Sequence, residues 1–149
     1  MKFKDVTKDV RKKLKEEYEI IEEELNFFER GKGKIYAYKF EVPEFLKKYL
    51  VHSGVYFGRI EKCGLRLSID GCSLVGKKAK NCVVEVEKEK VEEWMCGKDI
   101  DCNYIKEESK CRYLLLKWKS FFVGCGGIIK NGSKLKLKNY VPKNRRTKY

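Results

Sequence analysis

The chain has 149 residues, of which 42% are hydrophobic, and its formal net charge is +13. This length suits one domain with its own core, or one domain with a small appendage. Eight Phe, nine Tyr and two Trp supply the bulky core side chains that a disordered chain lacks. The chain has no Gln and only two Ala, and it is rich in Lys and Glu, which resembles the composition of thermophile proteins.

No part of the sequence predicts an export signal or a membrane span. Residues 1–17 lack the apolar core of a signal peptide. The longest run of apolar and glycine residues, 121–129, is too short to cross a bilayer as a helix. We therefore expect a soluble, cytoplasmic protein without a membrane partner.

Residues 1–50 predict a small α+β unit. Apolar residues recur every three or four positions from Val6 to Leu25, which predicts an amphipathic helix over Asp5–Leu25. Two β-prone runs flank RGKGK (30–34) and predict a hairpin, because this stretch contains the glycines that a tight turn needs. Pro43 is typical of a first helical turn and predicts a short helix over 43–50.

Residues 51–149 predict a second unit made mainly of short strands. Glycines interrupt β-prone runs over 54–71, a strand is predicted over 82–87, and a helix over 88–98 ends near Gly97. Two strands follow with a turn near Lys119–Ser120, and the Lys/Leu alternation of 134–138 predicts a strand with one cationic face. The predicted class is α+β, with a small N-terminal unit followed by a β-pseudo-barrel.

The positive charge is concentrated at one end of the chain. Residues 1–108 contain 23 Lys and Arg against 22 Asp and Glu, whereas residues 109–149 contain 12 Lys and Arg and no acidic residue. Such one-sided charge is typical of a surface that faces a polyanion, and it favours nucleic acid over a membrane or a merely solubilising surface.

The cysteines and the single histidine do not predict a metal or catalytic site. The seven cysteines include no C-x-x-C pair, and His52 is the only His. We expect free and mostly buried thiols, with a disulfide as the alternative that thermophile-like composition allows. We predict no metal and no cofactor.

Three stretches of the second segment resemble a PUA-type RNA-binding domain: GVYFGRIEKCGLRLSIDGCSLVG, VEVEKEKVEEWMCGKDI and YLLLKWKSFFVGCGGIIKNGSKLKLKNYVPKNRR. The turn FVGCGGI and the ending LKNYVPKNRR (137–146) are similar to the C-terminal appendage of the Sun/Fmu family of RNA cytosine-5 methyltransferases. Cys125 stands where that family usually has a bulky aromatic residue.

This resemblance implies a β-pseudo-barrel that binds ribosomal or transfer RNA, as in a stand-alone ribosome-biogenesis protein. It also implies that residues 70–76 line the RNA cleft, and that residues 1–50 correspond to the linker domain that precedes the appendage. The domain boundaries that follow are 1–50 and 51–149.

The predicted RNA-binding residues are basic, aromatic, amide or glycine residues of the second segment: Lys134, Lys136, Lys138, Asn139, Tyr140, Lys143, Arg145, Arg146, Gly124, Gly126, Arg59 and Arg66. The strand lysines would stand about 6–7 Å apart, comparable with successive phosphates. The arginine guanidinium can donate two hydrogen bonds to one phosphate or stack on a base.

Several of these residues have an alternative role. Asn139 can read a base edge, and Tyr140 can stack on a base or pack in the core. For the glycines of 124–127 we favour a structural role, as a bulge or barrel corner, over close approach to RNA. The segment after Pro142 is a candidate mobile arm.

Two other functions, an RNA methyltransferase and a protein-binding adaptor, compete with RNA binding. An RNA methyltransferase needs a cofactor-binding domain and a Pro-Cys nucleophile motif, but Glu44 and Lys143 follow the two prolines. One His also makes acid–base or nucleophilic chemistry difficult to assemble, so we predict no enzyme activity. The alternative is a protein-binding adaptor or targeting subunit for a separately encoded RNA methyltransferase.

Overall fold

The computed structural model describes residues 4–39, 43, 45–46, 54–101, 112–132 and 134–147. His52 and most of the predicted helix over 43–50 lie outside these residues. The described strands and helices are β1 (Lys4–Asp5), α1 (Thr7–Tyr18), β2 (Asn26–Arg30), β3 (Lys34–Tyr38), β4 (Val55–Glu61), β5 (Gly64–Leu67), α2 (Ile69–Val75), β6 (Val83–Glu85), α3 (Lys88–Met95), β7 (Ile100–Asp101), β8 (Tyr113–Trp118), β9 (Phe121–Asn131) and β10 (Lys134–Lys138). Short 3-10 turns lie at Gly76–Lys78 and Lys143–Arg145.

The strands form two five-stranded sheets, and the predicted α+β class is confirmed. The first sheet has the order β1-β2-β3-β4-β5 and is antiparallel. The second has the order β6-β8-β9-β10-β7, with only the β6–β8 pair parallel. One sheet curls into a half-barrel, which is the barrel-like part of the fold. No helix among the described residues is long and apolar enough to cross a membrane.

The first sheet contains strands from both sides of the predicted domain boundary at residue 50. Strand β3 pairs with β4, so residues 34–38 and 55–59 belong to one sheet. Buried side chains from α1, from both sheets and from α3 also form one hydrophobic cluster. The helix of the N-terminal segment is therefore packed into the same core as the strands of the second segment.

Helix α1 is shorter than the predicted helix over Asp5–Leu25. Val10, Leu14 and Tyr18 are buried at four-residue spacing, as the sequence pattern predicts. Glu19 then adopts a left-handed conformation with φ 54°, and its N–H donates to the Lys15 carbonyl at 3.1 Å. Because the helix stops there, Ile20 is buried and Ile21 is 62% exposed, which reverses the burial that a continuous helix would give.

Two side chains of helix α1 make hydrogen bonds to the backbone of one residue in β5. The Tyr18 hydroxyl donates to the Leu65 carbonyl, and the Glu17 carboxylate accepts from the Leu65 N–H at 2.8 Å. Both backbone groups of Leu65 are thereby satisfied by side chains of α1. The next residue along β5 is Arg66, one of the predicted RNA-binding residues.

The glycines of 124–127 lie inside strand β9 and not at a turn. The β8–β9 register shifts between Leu116 and Lys117, beside the pair formed by Leu116 and Gly124. This irregularity is the bulge that the sequence analysis allowed. The turn into β10 is made instead around Gly132, whose φ is 68°.

The cysteines divide into free and bonded residues. Cys72 and Cys125 are free and buried, Cys63 is free and exposed, and Cys96 is free and half-buried. Cys82 is disulfide-bonded. The prediction of buried free thiols is therefore correct for two residues, and the alternative of a disulfide is correct for Cys82.

Candidate nucleic-acid interface

Strand β10 presents an exposed cationic face. Lys134, Lys136 and Lys138 are exposed, and the two leucines between them are buried, as the Lys/Leu alternation predicts. The strand is paired on one side with β9 and on the other with β7, so its backbone is held at both edges. Asp101 is the cross-strand neighbour of Lys136, but among the described residues no ion pair engages any of these lysines.

Tyr140 lies at the end of this cationic face, between two basic side chains. The Arg66 guanidinium carbon is 4.2 Å from the Tyr140 ring centroid, and the Lys138 Nζ is 5.4 Å from it. Tyr113 meets the same ring edge-on, with a centroid separation of 6.4 Å. Gly127 lies against the ring, since a Cβ there would come within 3.1 Å of it.

These contacts give Tyr140 a packing role, and its stacking on a base stays a prediction. The residue is half-buried and packs against the hydrophobic core. Its ring also carries cations at cation–π distance, so the ring and the Arg66 guanidinium together offer a planar, positively charged surface. We call Arg66, Lys138 and Tyr140 the basic–aromatic cluster.

Asn139 has a structural role in the protein, in place of the predicted role in reading a base. Its side-chain Nδ2 donates to the carbonyls of Trp94 and Lys98 at 2.7 and 2.9 Å. Its Oδ1 accepts from the Val141 N–H at 2.8 Å, and the residue is only 9% exposed. Both amide hydrogens are thus engaged within the protein, where they fix the chain between β10 and Pro142.

Residues 143–147 are docked on the protein, in contrast to the mobile arm predicted after Pro142. Arg145 pairs with Asp70 of α2 at 3.1 Å. Arg146 donates from Nε to the Val141 carbonyl at 3.0 Å, and the Thr147 N–H donates to the Met95 carbonyl at 2.9 Å. Each contact uses a donor that a free arm would offer to RNA, although half-exposed Arg145 keeps part of its guanidinium in solvent.

Arg59 and Arg66 face each other across β4 and β5 and share one acid. They are directly paired in the sheet register. Glu61 accepts from the Arg66 Nη2 at 2.9 Å and lies 3.8 Å from the Arg59 Nε. The carboxylate fixes the Arg66 side chain beside Tyr140, while it offsets part of the positive charge.

A cavity of about 180 Å³ opens between β5, α2 and the C-terminal segment. Helix α2 covers most of residues 70–76, and Ser68 caps its start by accepting from the Gly71 N–H at 2.9 Å. The polar and aromatic side chains that line the cavity include Tyr56, Arg66, Ser68, Asp70, Trp94, Tyr140 and Arg145.

Gly124 and Gly126 make room for the buried indole of Trp94. A Cβ at Gly124 would lie 2.6 Å from the Trp94 Nε1, and one at Gly126 would lie 3.0 Å from the far edge of the same ring. Trp94 is fully buried, and its Nε1 is a buried side-chain donor without a hydrogen-bond partner. Both glycines therefore have a structural role, which is to leave space for the Trp94 ring in addition to the bulge or barrel corner that we favour, and Gly124 also lines the cavity.

Burial perturbs several ionisable groups near this surface. Burial raises the pKa of Tyr113 to about 12, and the neighbouring phenol of Tyr140 adds to the effect. Burial likewise raises the pKa of the Tyr18 phenol and of the Cys72 thiol. Tyr56 also has a raised pKa because of burial, although the charges of Arg66 and Arg59 oppose the increase.

The structure brings most of the predicted residues to one region, together with acids that the sequence analysis did not assign to it. Glu61, Asp70 and Asp99 hold Arg66, Arg145 and the Asn139 backbone, respectively. Within the described ranges, no three His, Cys, Asp or Glu side chains are grouped closely enough to hold a metal ion.

No protein-family model matches the chain, and no curated protein matches it.

Proposed function

We propose that the protein is a non-catalytic RNA-binding protein, which acts on ribosomal or transfer RNA in ribosome biogenesis or RNA modification. The observation that supports this most is the continuity of the cationic face with the basic–aromatic cluster. Three lysines on one face of β10 end at a tyrosine ring that has a guanidinium over it. Lysines neutralise phosphates, whereas unpaired bases stack on aromatic rings or on arginine planes.

The resemblance to the PUA-type appendage supports ribosomal or transfer RNA as the target class. In this proposal the cavity beside α2 serves as the RNA cleft that the resemblance implies. Buried Cys72 and Cys125 are inaccessible to a substrate, so neither is a nucleophile in this proposal.

The experiment is a salt titration of RNA affinity with the three β10 lysines replaced. Lys134→Ala, Lys136→Ala and Lys138→Ala together should weaken binding to an RNA stem-loop at least tenfold. Each phosphate contact on a single strand contributes about 0.7 to the slope of log affinity against log salt, so the slope should fall in magnitude by about 2.

A matched control tests whether position or total charge matters. Lys8→Ala, Lys12→Ala and Lys15→Ala remove the same charge from exposed positions of α1. This control should change affinity and slope much less. Equal losses in the two variants would show that the cationic face of β10 is not a specific RNA site.

A cluster of aromatic side chains supports the alternative function as an adaptor for an RNA methyltransferase. Tyr36 lies 5.5 Å from Tyr56 and 5.4 Å from Phe28, between ring centroids, on the first sheet. Val55 and Tyr56 are 45% and 36% exposed there. The apolar face of α1, by contrast, is buried in the core and offers no docking surface. Recovery of a partner protein after nuclease treatment, without RNA, would favour this alternative.

A further inference from the structure

The turn between β8 and β9 carries a stacked pair of aromatic rings, half-buried Trp118 and exposed Phe121. The Trp118 and Phe121 centroids are 6.1 Å apart, and their planes differ by 20°. The Lys119 Nζ lies 4.9 Å from the Trp118 ring. Phe121 is 61% exposed, so the protein leaves much of this ring open to solvent. None of these three residues belongs to the interface described above.

A basic basin of about 420 Å³ lies on the other face of the same hairpin end. Lys117 pairs with Phe122 and faces the basin, whereas the next pair, Trp118 and Phe121, points to the opposite face. A strand that passes round the tip of the turn can contact both faces.

Lys77, Lys80 and Lys117 line the basin together with Asn81 and Ser120, and its lining contains no acidic residue. Among the described residues none of the three lysines forms an ion pair.

Acidic residues flank the basin without lining it. Lys77 and Lys80 also border the neighbouring surface that contains residues 22–24, all three of which are glutamates, and Glu23 pairs there with Lys78 at 3.3 Å. Glu85 is the cross-strand neighbour of Lys117. The lining itself carries three lysines and no acid, so the inside of the basin is locally positive although its flanks are partly neutralised.

We propose that this turn is a second RNA-binding site, which takes a single-stranded segment. Its residues, which we call the turn site, are Lys77, Lys80, Lys117, Trp118, Lys119 and Phe121. One base stacks on the open face of Phe121 and extends the Trp118–Phe121 stack, and the flanking phosphates lie in the basin. The inference rests on the proposed RNA-binding function and adds a contact that the cationic face does not provide.

The chemistry of the turn site favours RNA over a protein or a lipid surface. The exposed apolar group is one ring beside lysines, whereas a protein or membrane contact is expected to present a larger continuous apolar patch. Stacking on a ring accepts every base, so the turn site should show little sequence preference.

Strand β9 fixes the separation of the two sites. Phe121 begins β9, and Ile129 pairs with Lys136 eight residues later. At about 3.3 Å per residue the two points are roughly 26 Å apart along the strand. A short oligonucleotide therefore occupies one site at a time, whereas a longer single strand can contact both.

The test measures the binding of fluorescently labelled oligouridylates of about four and about twelve nucleotides, lengths within the range of known single-strand site sizes. Phe121→Ala should weaken binding of the longer RNA about tenfold and leave the salt slope unchanged, because stacking releases no counterions. Because Phe121 is largely exposed, its replacement should leave the fold intact. The matched control is Phe45→Ala, which removes another ring that is 70% exposed. With the three β10 lysines replaced, the short RNA should still bind and quench tryptophan fluorescence, and Phe121→Ala should remove that binding.

The outcomes separate this inference from the proposed function. If the β10 lysines matter but Phe121→Ala leaves affinity for both RNAs unchanged, the turn site is wrong and the cationic face stands. If Phe121→Ala weakens binding and the lysine replacements do not, the turn site stands and the cationic face is wrong. Absence of RNA binding in the unmodified protein overturns both.

Discussion

Arg66 of the first sheet lies over the ring of Tyr140, which follows the last strand of the second sheet. The distance from the guanidinium carbon to the ring centroid is 4.2 Å, and Glu61 holds the guanidinium by a 2.9 Å hydrogen bond. The proposed RNA surface is therefore assembled from both sheets. Its geometry depends on tertiary packing, since residues far apart in the chain meet there.

Replacing Arg66 by lysine should separate the effect of charge from that of the planar group. Arg66→Lys keeps the charge but loses the planar guanidinium that stacks on Tyr140 and can bind a phosphate through two nitrogens. RNA affinity should therefore fall several-fold, with little change in the salt slope. Loss of the cation–π contact should lower the unfolding free energy by about 0.5–1 kcal/mol. Chemical denaturation and RNA titration of the same variant measure both; unchanged affinity would show that RNA does not use this stack.

Asn139→Ala should destabilise the protein by about 3 kcal/mol. The replacement leaves the Lys98 carbonyl and the Val141 N–H without the Asn139 partner, and each such loss costs about 1–3 kcal/mol. The Trp94 carbonyl loses one hydrogen bond but still accepts from the Gly97 N–H at 3.0 Å. Urea denaturation measures the change. Asn139→Asp should also be destabilising, because a carboxylate cannot donate to two carbonyls. A stable Asn139→Ala protein with weakened RNA binding would instead support the original base-reading role.

Gly71→Ala should destabilise the packing of α2 against β4. A Cβ at this position would lie 2.1 Å from the Phe57 carbonyl oxygen, and the obstacle is backbone that cannot rotate away. We expect a loss of about 3 kcal/mol in unfolding free energy, at the upper end of the cost of overpacking. Ser73→Ala on the same helix is the control, since within the described part of the chain its side chain makes a single, weak hydrogen bond of 3.5 Å to the Phe122 carbonyl. In thermal unfolding, the melting temperature of the Ser73→Ala control should be well above that of Gly71→Ala.

Stability should decrease at high pH because of Tyr18 and Tyr113. Burial raises both pKa values above the ordinary value of 10, that of Tyr113 to about 12. Above pH 10 the unfolded chain loses these protons while the folded protein keeps them, so the unfolded state binds fewer protons and is favoured. The unfolding free energy should therefore stay level with respect to these groups below pH 10 and fall by about 1.4 kcal/mol per pH unit for each tyrosine above it.

Tyr113→Phe isolates one of the two contributions. Urea denaturation between pH 9 and pH 12 should show a shallower fall in this variant, because the contribution of Tyr113 is lost while those of Tyr18 and Tyr56 remain. An identical pH profile in the variant and the unmodified protein would contradict the assignment to Tyr113.

The elements with a clear local pattern could be predicted from the sequence. The β10 strand follows from period-two alternation, and α3 follows from an apolar face that ends near Gly97. The early end of α1 could not, because Glu19 has no local signal for a left-handed conformation and the apolar spacing continues beyond it.

The roles of individual site residues were less predictable because they depend on partners distant in the chain. Asn139 and Arg145 have the chemistry of RNA-reading residues, yet Trp94 and Asp70 engage them within the protein. The charge imbalance after Glu108 indicated a cationic surface correctly but could not reveal that acids from earlier segments neutralise part of it. Trp118 and Phe121 were read only as strand residues, although exposed aromatic residues at a predicted turn are a usable signal.

The hydrogen bonds from α1 to Leu65 make the second segment of the chain dependent on the first. A fragment that begins near residue 51 would leave both backbone groups of Leu65 without the Tyr18 and Glu17 side chains, directly beside Arg66. It would also strip β4 of its partner β3. The N-terminal segment thus supports the strand that carries Arg66, and we expect that the second segment alone, fused to another protein, would not reproduce the proposed RNA surface.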